Sequence, residues 1–138
     1  MFKVLASIAL TLAAISVGSR AQDDECNRFY TVQGGDTCDR IGKNENAPSW
    51  QIRFENSDFI DVECSNLYPG ERICLGVVGR DCQQVHVVQP EETCASIAAA
   101  SGLTTEGFRS ANWRAVGDDC FIYVGEVLCV DPAFATST

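Results

Sequence analysis

Beyond its start, the chain places its apolar residues in short runs separated by turn residues. Phe29-Tyr30-Thr31-Val32 is aromatic and β-branched and ends on Gln33-Gly34-Gly35-Asp36, which predicts a strand followed by a turn. Asp36 or Thr37 can cap a helix that carries Cys38 and Ile41 on one face, and Asp36 is expected to serve mainly as that cap. Ala47-Pro48-Ser49 interrupts, and Ser49 can cap a second short helix bearing Trp50, Ile52 and Phe54. A polar, turn-rich stretch then leads through Tyr68-Pro69-Gly70-Glu71 into a strand at Arg72-Ile73-Cys74-Leu75. The second half follows the same order: a strand at Val85-His86-Val87-Val88, an alanine-rich helix from Thr93 to Ala100, a helix capped by Thr104 or Thr105 that carries Phe108, and a strand at Val127-Leu128-Cys129-Val130. The fold class is α+β: strand, helix, helix, strand, twice. A pair of strands is marginal alone, so each must pack against its helices.

The cysteines show that this is a duplication. Cys26, Cys38, Cys64 and Cys74 have gaps of 12, 26 and 10; Cys82, Cys94, Cys120 and Cys129 have gaps of 12, 26 and 9. An offset of 56 superimposes the halves until one residue is lost between Cys120 and Gly125. It aligns Gln33 with Gln89, Thr37 with Thr93, Arg53 with Arg109, Asn56 with Asn112 and Glu71 with Glu126. The expected divisions are a segment at 22–25, module one at 26–76, a linker at 77–81, module two at 82–130 and a tail at 131–138.

The chain opens with Met1 to Lys3, positively charged, and an apolar stretch from Val4 to Val17, followed by Ser19-Arg20-Ala21. This reads as a signal peptide, 1–21, cleaved after Ala21, with export as the consequence. Eight cysteines behind an export signal read as four disulfides, paired within modules because each repeat carries a complete set. Four cysteines allow three pairings per module, and the order of residues does not choose among them. Cross-linking suits modules of about 50 residues, which bury little apolar surface. No Cys-x-x-Cys pair is present and His86 has no second histidine, so neither a metal nor another cofactor is expected. His86 reads as an ordinary strand residue. The net charge of −9, or −11 once Lys3 and Arg20 are removed, argues against nucleic acid and anionic membranes. A neutral or cationic polymer fits.

Tyr30-Thr31-Val32-Gln33-Gly34-Gly35-Asp36-Thr37-Cys38-x-x-Ile41 resembles the opening signature of a LysM module. Asn56, followed by Cys64-Ser65-Asn66-Leu67-Tyr68-Pro69-Gly70-Glu71-x-Ile73-Cys74, resembles its closing half in the cysteine-containing fungal form. Repeat two keeps the cysteine frame and Gly125-Glu126 but reads Gln89-Pro90-Glu91-Glu92-Thr93 at the turn. The resemblance implies two βααβ modules that bind chitin or its oligosaccharides in a groove between two loops. It also implies a secreted, non-catalytic effector that sequesters chitin fragments from host receptors or shields hyphal walls from chitinases. Two sites on one chain leave room for ligand-induced oligomerisation.

On this reading the first loops are Gly34, Gly35, Asp36 and Thr37, and Pro90, Glu91, Glu92 and Thr93. The second loops start with Asn56, Ser57, Asp58, Phe59 and Ile60, and with Asn112, Trp113, Arg114, Ala115 and Val116. An N-acetylated sugar offers an amide, hydroxyls and a methyl group. Glycines admit backbone close to it, and Phe59, Ile60, Ala115 and Val116 supply apolar cover. Trp113 can stack on a sugar or pack on its module, while Trp50 reads as packing and Arg53 and Arg109 as solvated. The competing readings are a glycosidase, which needs a pair of carboxylates in a cleft, and a disulfide-rich interaction protein that keeps the fold without binding sugar.

Overall fold

The computed structural model describes residues 24–135. The expected signal peptide, 1–21, and the end of the tail, 136–138, lie outside the described residues. Module one consists of β1 (Cys26–Thr31), α1 (Cys38–Glu45), α2 (Ser49–Glu55) and β2 (Arg72–Val77). Module two consists of β3 (Val85–Val87), α3 (Cys94–Ala100), α4 (Thr105–Ala111), the single turn α5 (Trp113–Val116) and β4 (Val127–Cys129), followed by α6 (Pro132–Ala135). Each pair of strands is antiparallel, and the pairs form separate sheets: Phe29 faces Cys74 in one, Val87 faces Val127 in the other.

Threonines start three of the helices. Thr37 accepts from Arg40 N–H, Thr93 forms a capping box with Ser96, and Thr104 accepts from Gly107 N–H. Two expected caps are corrected. Asp36 stands one residue before the cap Thr37 and bonds elsewhere, and Ser49 follows the cap residue Pro48 and makes no cap bond. Ser49 is instead buried, donating to Asp39 and accepting from Val127 N–H at 3.2 Å.

Each module has its own core: Val32, Ile41, Ile52, Ile73 and Leu75 in the first, Val88, Ile97, Phe108, Val116 and Leu128 in the second. The disulfides are nested within modules. Cys26–Cys74 and Cys82–Cys129 join the ends; Cys38–Cys64 and Cys94–Cys120 lie inside them.

The modules also pack on each other through α2. Trp50 lies against the second module's core and donates to Asn112 Oδ1 at 3.1 Å. Gln51 donates to Leu75 O at 2.7 Å and accepts from Cys82 N–H at 3.0 Å, tying the helix to both modules. Arg114 of the second module covers the Phe54 ring at 3.7 Å. The stretch expected as a linker is equally committed. Asp81 accepts from Arg28 Nε and Nη2 at 2.8 and 2.6 Å and from Asn27 and Gln83. A Cβ on Gly76 would meet Asp81 Oδ1 at 2.2 Å, so a larger residue there would displace the carboxylate that holds Arg28. Burial pushes the Asp81 carboxyl up, but the Arg28 and Asn27 bonds and the Arg28 charge outweigh it and hold the group below its ordinary value.

Candidate functional site

Each first loop is anchored to the strand that precedes it. In module one, Asp36 Oδ2 accepts from Tyr30 Oη and from Gln33 N–H, both at 2.8 Å. The bond to Asp36 is the main reason that the Tyr30 hydroxyl is held above its ordinary value. Gly35 then turns at φ +83°, and a Cβ on Gly34 would meet nothing within 4 Å, so the backbone here is open to a ligand.

Module two builds the same loop from different residues. Glu92 Oε2 accepts from Gln89 N–H at 2.7 Å and lies 2.7 Å from His86 Nε2. His86 is therefore the counterpart of Tyr30 in a bonded pair, not a plain strand residue. The Gln89 bond first, and the His86 bond next, hold the Glu92 carboxyl below the usual range. Glu91 stands where Gly35 does and adopts φ +69°, a conformation that costs a residue with a side chain about 1 kcal/mol.

The inner disulfides bring a second loop to the first. Cys38 and Cys94 open α1 and α3 beside Thr37 and Thr93, and their partners Cys64 and Cys120 both sit in the left-handed region, at φ 58° and 51°. In module two, Glu92, Thr93, Cys94 and Ala95 face Asp119, Cys120, Phe121 and Ile122 across a shallow groove of about 460 Å³. Phe121 stands 74% exposed on its wall, a large apolar group with no internal reason to be there. In module one the matching stretch is Cys64–Leu67. It is held by Asp61, which accepts from Ser65 N–H and Oγ, and by Asn66, which bridges Asp61 N–H and Phe59 O. The Ser65 bonds hold the Asp61 carboxyl below its ordinary value.

The remaining expected site residues go elsewhere. Asn56 and Asn112 are buried, and each side-chain amide donates to two carbonyls while its oxygen accepts from the N–H of Cys74 or Cys129. Ile60 and Val116 are core residues, Phe59 packs against the core, and Asp58 is exposed. Ser57, Ile60, Arg114 and Ala115 meet Trp50, Arg53 and Phe54 in a different groove of about 700 Å³ between the modules. Trp113 is 61% exposed on α5 with Arg114 at 4.5 Å from its ring. Arg53 and Arg109, expected to be solvated, each donate to a carbonyl nine residues on, Val62 O and Asp118 O, and so brace the second loops. Phe121 was missed because it lies beside the deletion that blurs the repeat. An aromatic next to a loop cysteine was the available signal.

The LysM domain model matches residues 30–76 and 86–131, one match per module. The chain belongs to the LysM family. Among curated relatives of this LysM protein is the secreted LysM effector LysM1 of Trichophyton rubrum, 26% identical, covering 77% of this chain and 51% of that protein. The secreted LysM effector Blys8 of Beauveria bassiana is 27% identical, covering 92% and 41%. The non-secreted LysM effector LysM15 of Penicillium expansum is 31% identical, covering 80% and 8%. The chain thus spans about half the length of these relatives or less. A solved structure, the Bacillus megaterium spore cortex-lytic enzyme SleL, is 17% identical at a TM-score of 0.37 and covers 73% of this chain and 21% of that one. Among the described residues of this LysM protein no helix is long and apolar enough to cross a membrane.

Proposed function

We propose that this LysM protein is a secreted, non-catalytic binder of chitin and its N-acetylglucosamine oligomers, acting as an effector. The observation that carries the reading is the groove of module two. It is open and shallow, has the end of the first loop, Glu92 and Thr93, and the start of α3 along one wall, and offers the exposed Phe121 ring on the other. An uncharged sugar amide suits such a site, with backbone groups for its polar edge and a ring for its methyl group or sugar face. The acidic net charge of −9 argues for the same class of partner and against polyanions.

Glu92 and Asp119 both line the groove, a pair of carboxylates of the kind a glycosidase needs. An acid catalyst in that chemistry is held protonated by a raised pKa. Glu92 is shifted the opposite way by the bonds from Gln89 and His86. The effector role rests on the relatives, whose names carry that word. The secreted location rests on the larger part of those names, which carry the word secreted, and on the apolar stretch from Val4 to Val17.

Sedimentation of the oxidised full chain with insoluble chitin, chitosan, cellulose and peptidoglycan at low and high salt tests the reading. Recovery on chitin, undiminished by salt and with no shortened oligomers after incubation, is the expected result. Recovery on none of the polymers would discard it in favour of an interaction protein.

A further inference from the structure

The two modules anchor equivalent loops with chemically different pairs, and the difference extends beyond one residue. Tyr30–Asp36 in the first module stands where His86–Glu92 stands in the second, each pair member at the same place. The geometry survived: each carboxylate accepts from the glutamine amide that starts the turn, Gln33 or Gln89, and meets the ring of the strand residue. A longer acid paired with a shorter ring spans the same gap. A tyrosine hydroxyl keeps its proton throughout the range in which a histidine gains or loses one, roughly pH 5–8.

We infer that His86 and Glu92 form a titratable latch that positions the Gln89–Thr93 loop and makes the second groove, and not the first, depend on pH. This rests on the sugar-binding reading for its consequence but not for its mechanism. Below the histidine range the pair is an ion pair with a charge-assisted bond; above it, a neutral imidazole donates a weaker one. The latch has more to hold in module two than in module one, because Glu91 occupies the positive φ that Gly35 takes without cost. Glu92 itself lines the groove, so its placement reaches the site directly.

Other titratable groups stand close by: Glu126, just before β4, accepts from Val88 N–H through its main chain at 2.9 Å. β4, which pairs with β3, has no titratable side chain, its only cysteine being in a disulfide. α1 also packs on β3 and brings Asp39, Arg40, Lys43 and Glu45. Among the described residues His86 forms an ion pair with Glu92 alone. The sign follows from both partners. Glu92 is held below its ordinary value, so its contribution is present above the ordinary glutamate range and is lost as pH falls through its lowered value in the fold. The histidine part fades as pH rises.

The test uses the full chain, its amide and His86 ring resonances followed from pH 4 to 8, and chitin-oligomer titrations at the same points. The Gln89–Thr93 amides should move with the His86 ring while the Gln33–Thr37 amides stay flat across pH 5–8. Affinity at the second groove should fall roughly threefold from pH 5.5 to 8, as expected for a partly exposed ion pair. The double variant H86Y/E92D, which installs the first module's pair, should fold and lose the pH dependence of its Gln89–Thr93 amides, whatever its affinity at pH 5.5. Loop amides indifferent to His86, or a double variant as pH-dependent as the parent, would overturn the latch. Coupled amides without any sugar binding would uphold the latch and remove the sugar reading.

Discussion

Asn56 and Asn112 show how one residue type serves the whole fold. Each sits just past a helix, fully enclosed, and satisfies three main-chain groups that belong to two different elements. Leaving such groups without partners costs about 1–3 kcal/mol each, which is why an amide, donor and acceptor in one, stands at both places. Their recurrence across the repeat is therefore explained by folding. Phe121 is the opposite case, exposed and held by nothing that requires its ring. F121A should weaken chitin-oligomer binding at the second groove roughly tenfold while stability stays within about 0.5 kcal/mol. Calorimetric titration beside urea unfolding reads both; unchanged affinity would move the site away from this wall.

At the scale of elements, the helices are short, and their positions depend on their ends. Threonine hydroxyls start α1, α3 and α4, and the inner disulfides fasten α1 and α3 to the loops opposite. Cys94–Cys120 closes a separation of 26 residues and is also the floor of the second groove. The variant C94S/C120S should lose about 3 kcal/mol of stability. It should also lose sugar binding at the second groove and keep it at the first. Retained binding at both would mean that the disulfide serves stability alone.

Across the whole molecule, the junction between modules collects carboxyl groups. Asp39 of α1 accepts from Ser49 and from Tyr123 Oη at 3.1 Å, and Glu126 lies buried beside them with the Tyr123 amide at 3.3 Å. Burial first, and the nearby Asp39 charge as well, push the Glu126 carboxyl up to about 7. Burial and the same negative charges raise the Tyr123 hydroxyl above its ordinary value. A carboxyl raised in the fold is bound more firmly in its protonated form. Its contribution is complete below about pH 4.5 and is lost as pH rises through about 7. The melting temperature should therefore drop by a few degrees between pH 5 and 8, and E126Q should flatten that slope. A slope that persists in E126Q would place the dependence elsewhere.

The duplication, the cysteine frame, the strand-helix-helix-strand order and the family were legible in the order of residues, because each is a local or periodic signal. Spacing puts Ile41 and Ile97 on matching faces, and a threonine before a helix caps it whatever surrounds it. The first loops were legible for the same reason, as turns next to a strand. Which cysteine meets which was decided only by the path of the chain, as was the wall that faces each first loop. The stretches after Asn56 and Asn112 were expected there, yet the nested disulfides bring Cys64–Leu67 and Asp119–Ile122 to that place instead. The docking of Trp50 on the second module and the bonding of His86 to Glu92 belong with these. All of them join residues that no periodicity relates, so a packed structure must choose them by which groups it can bury and satisfy together.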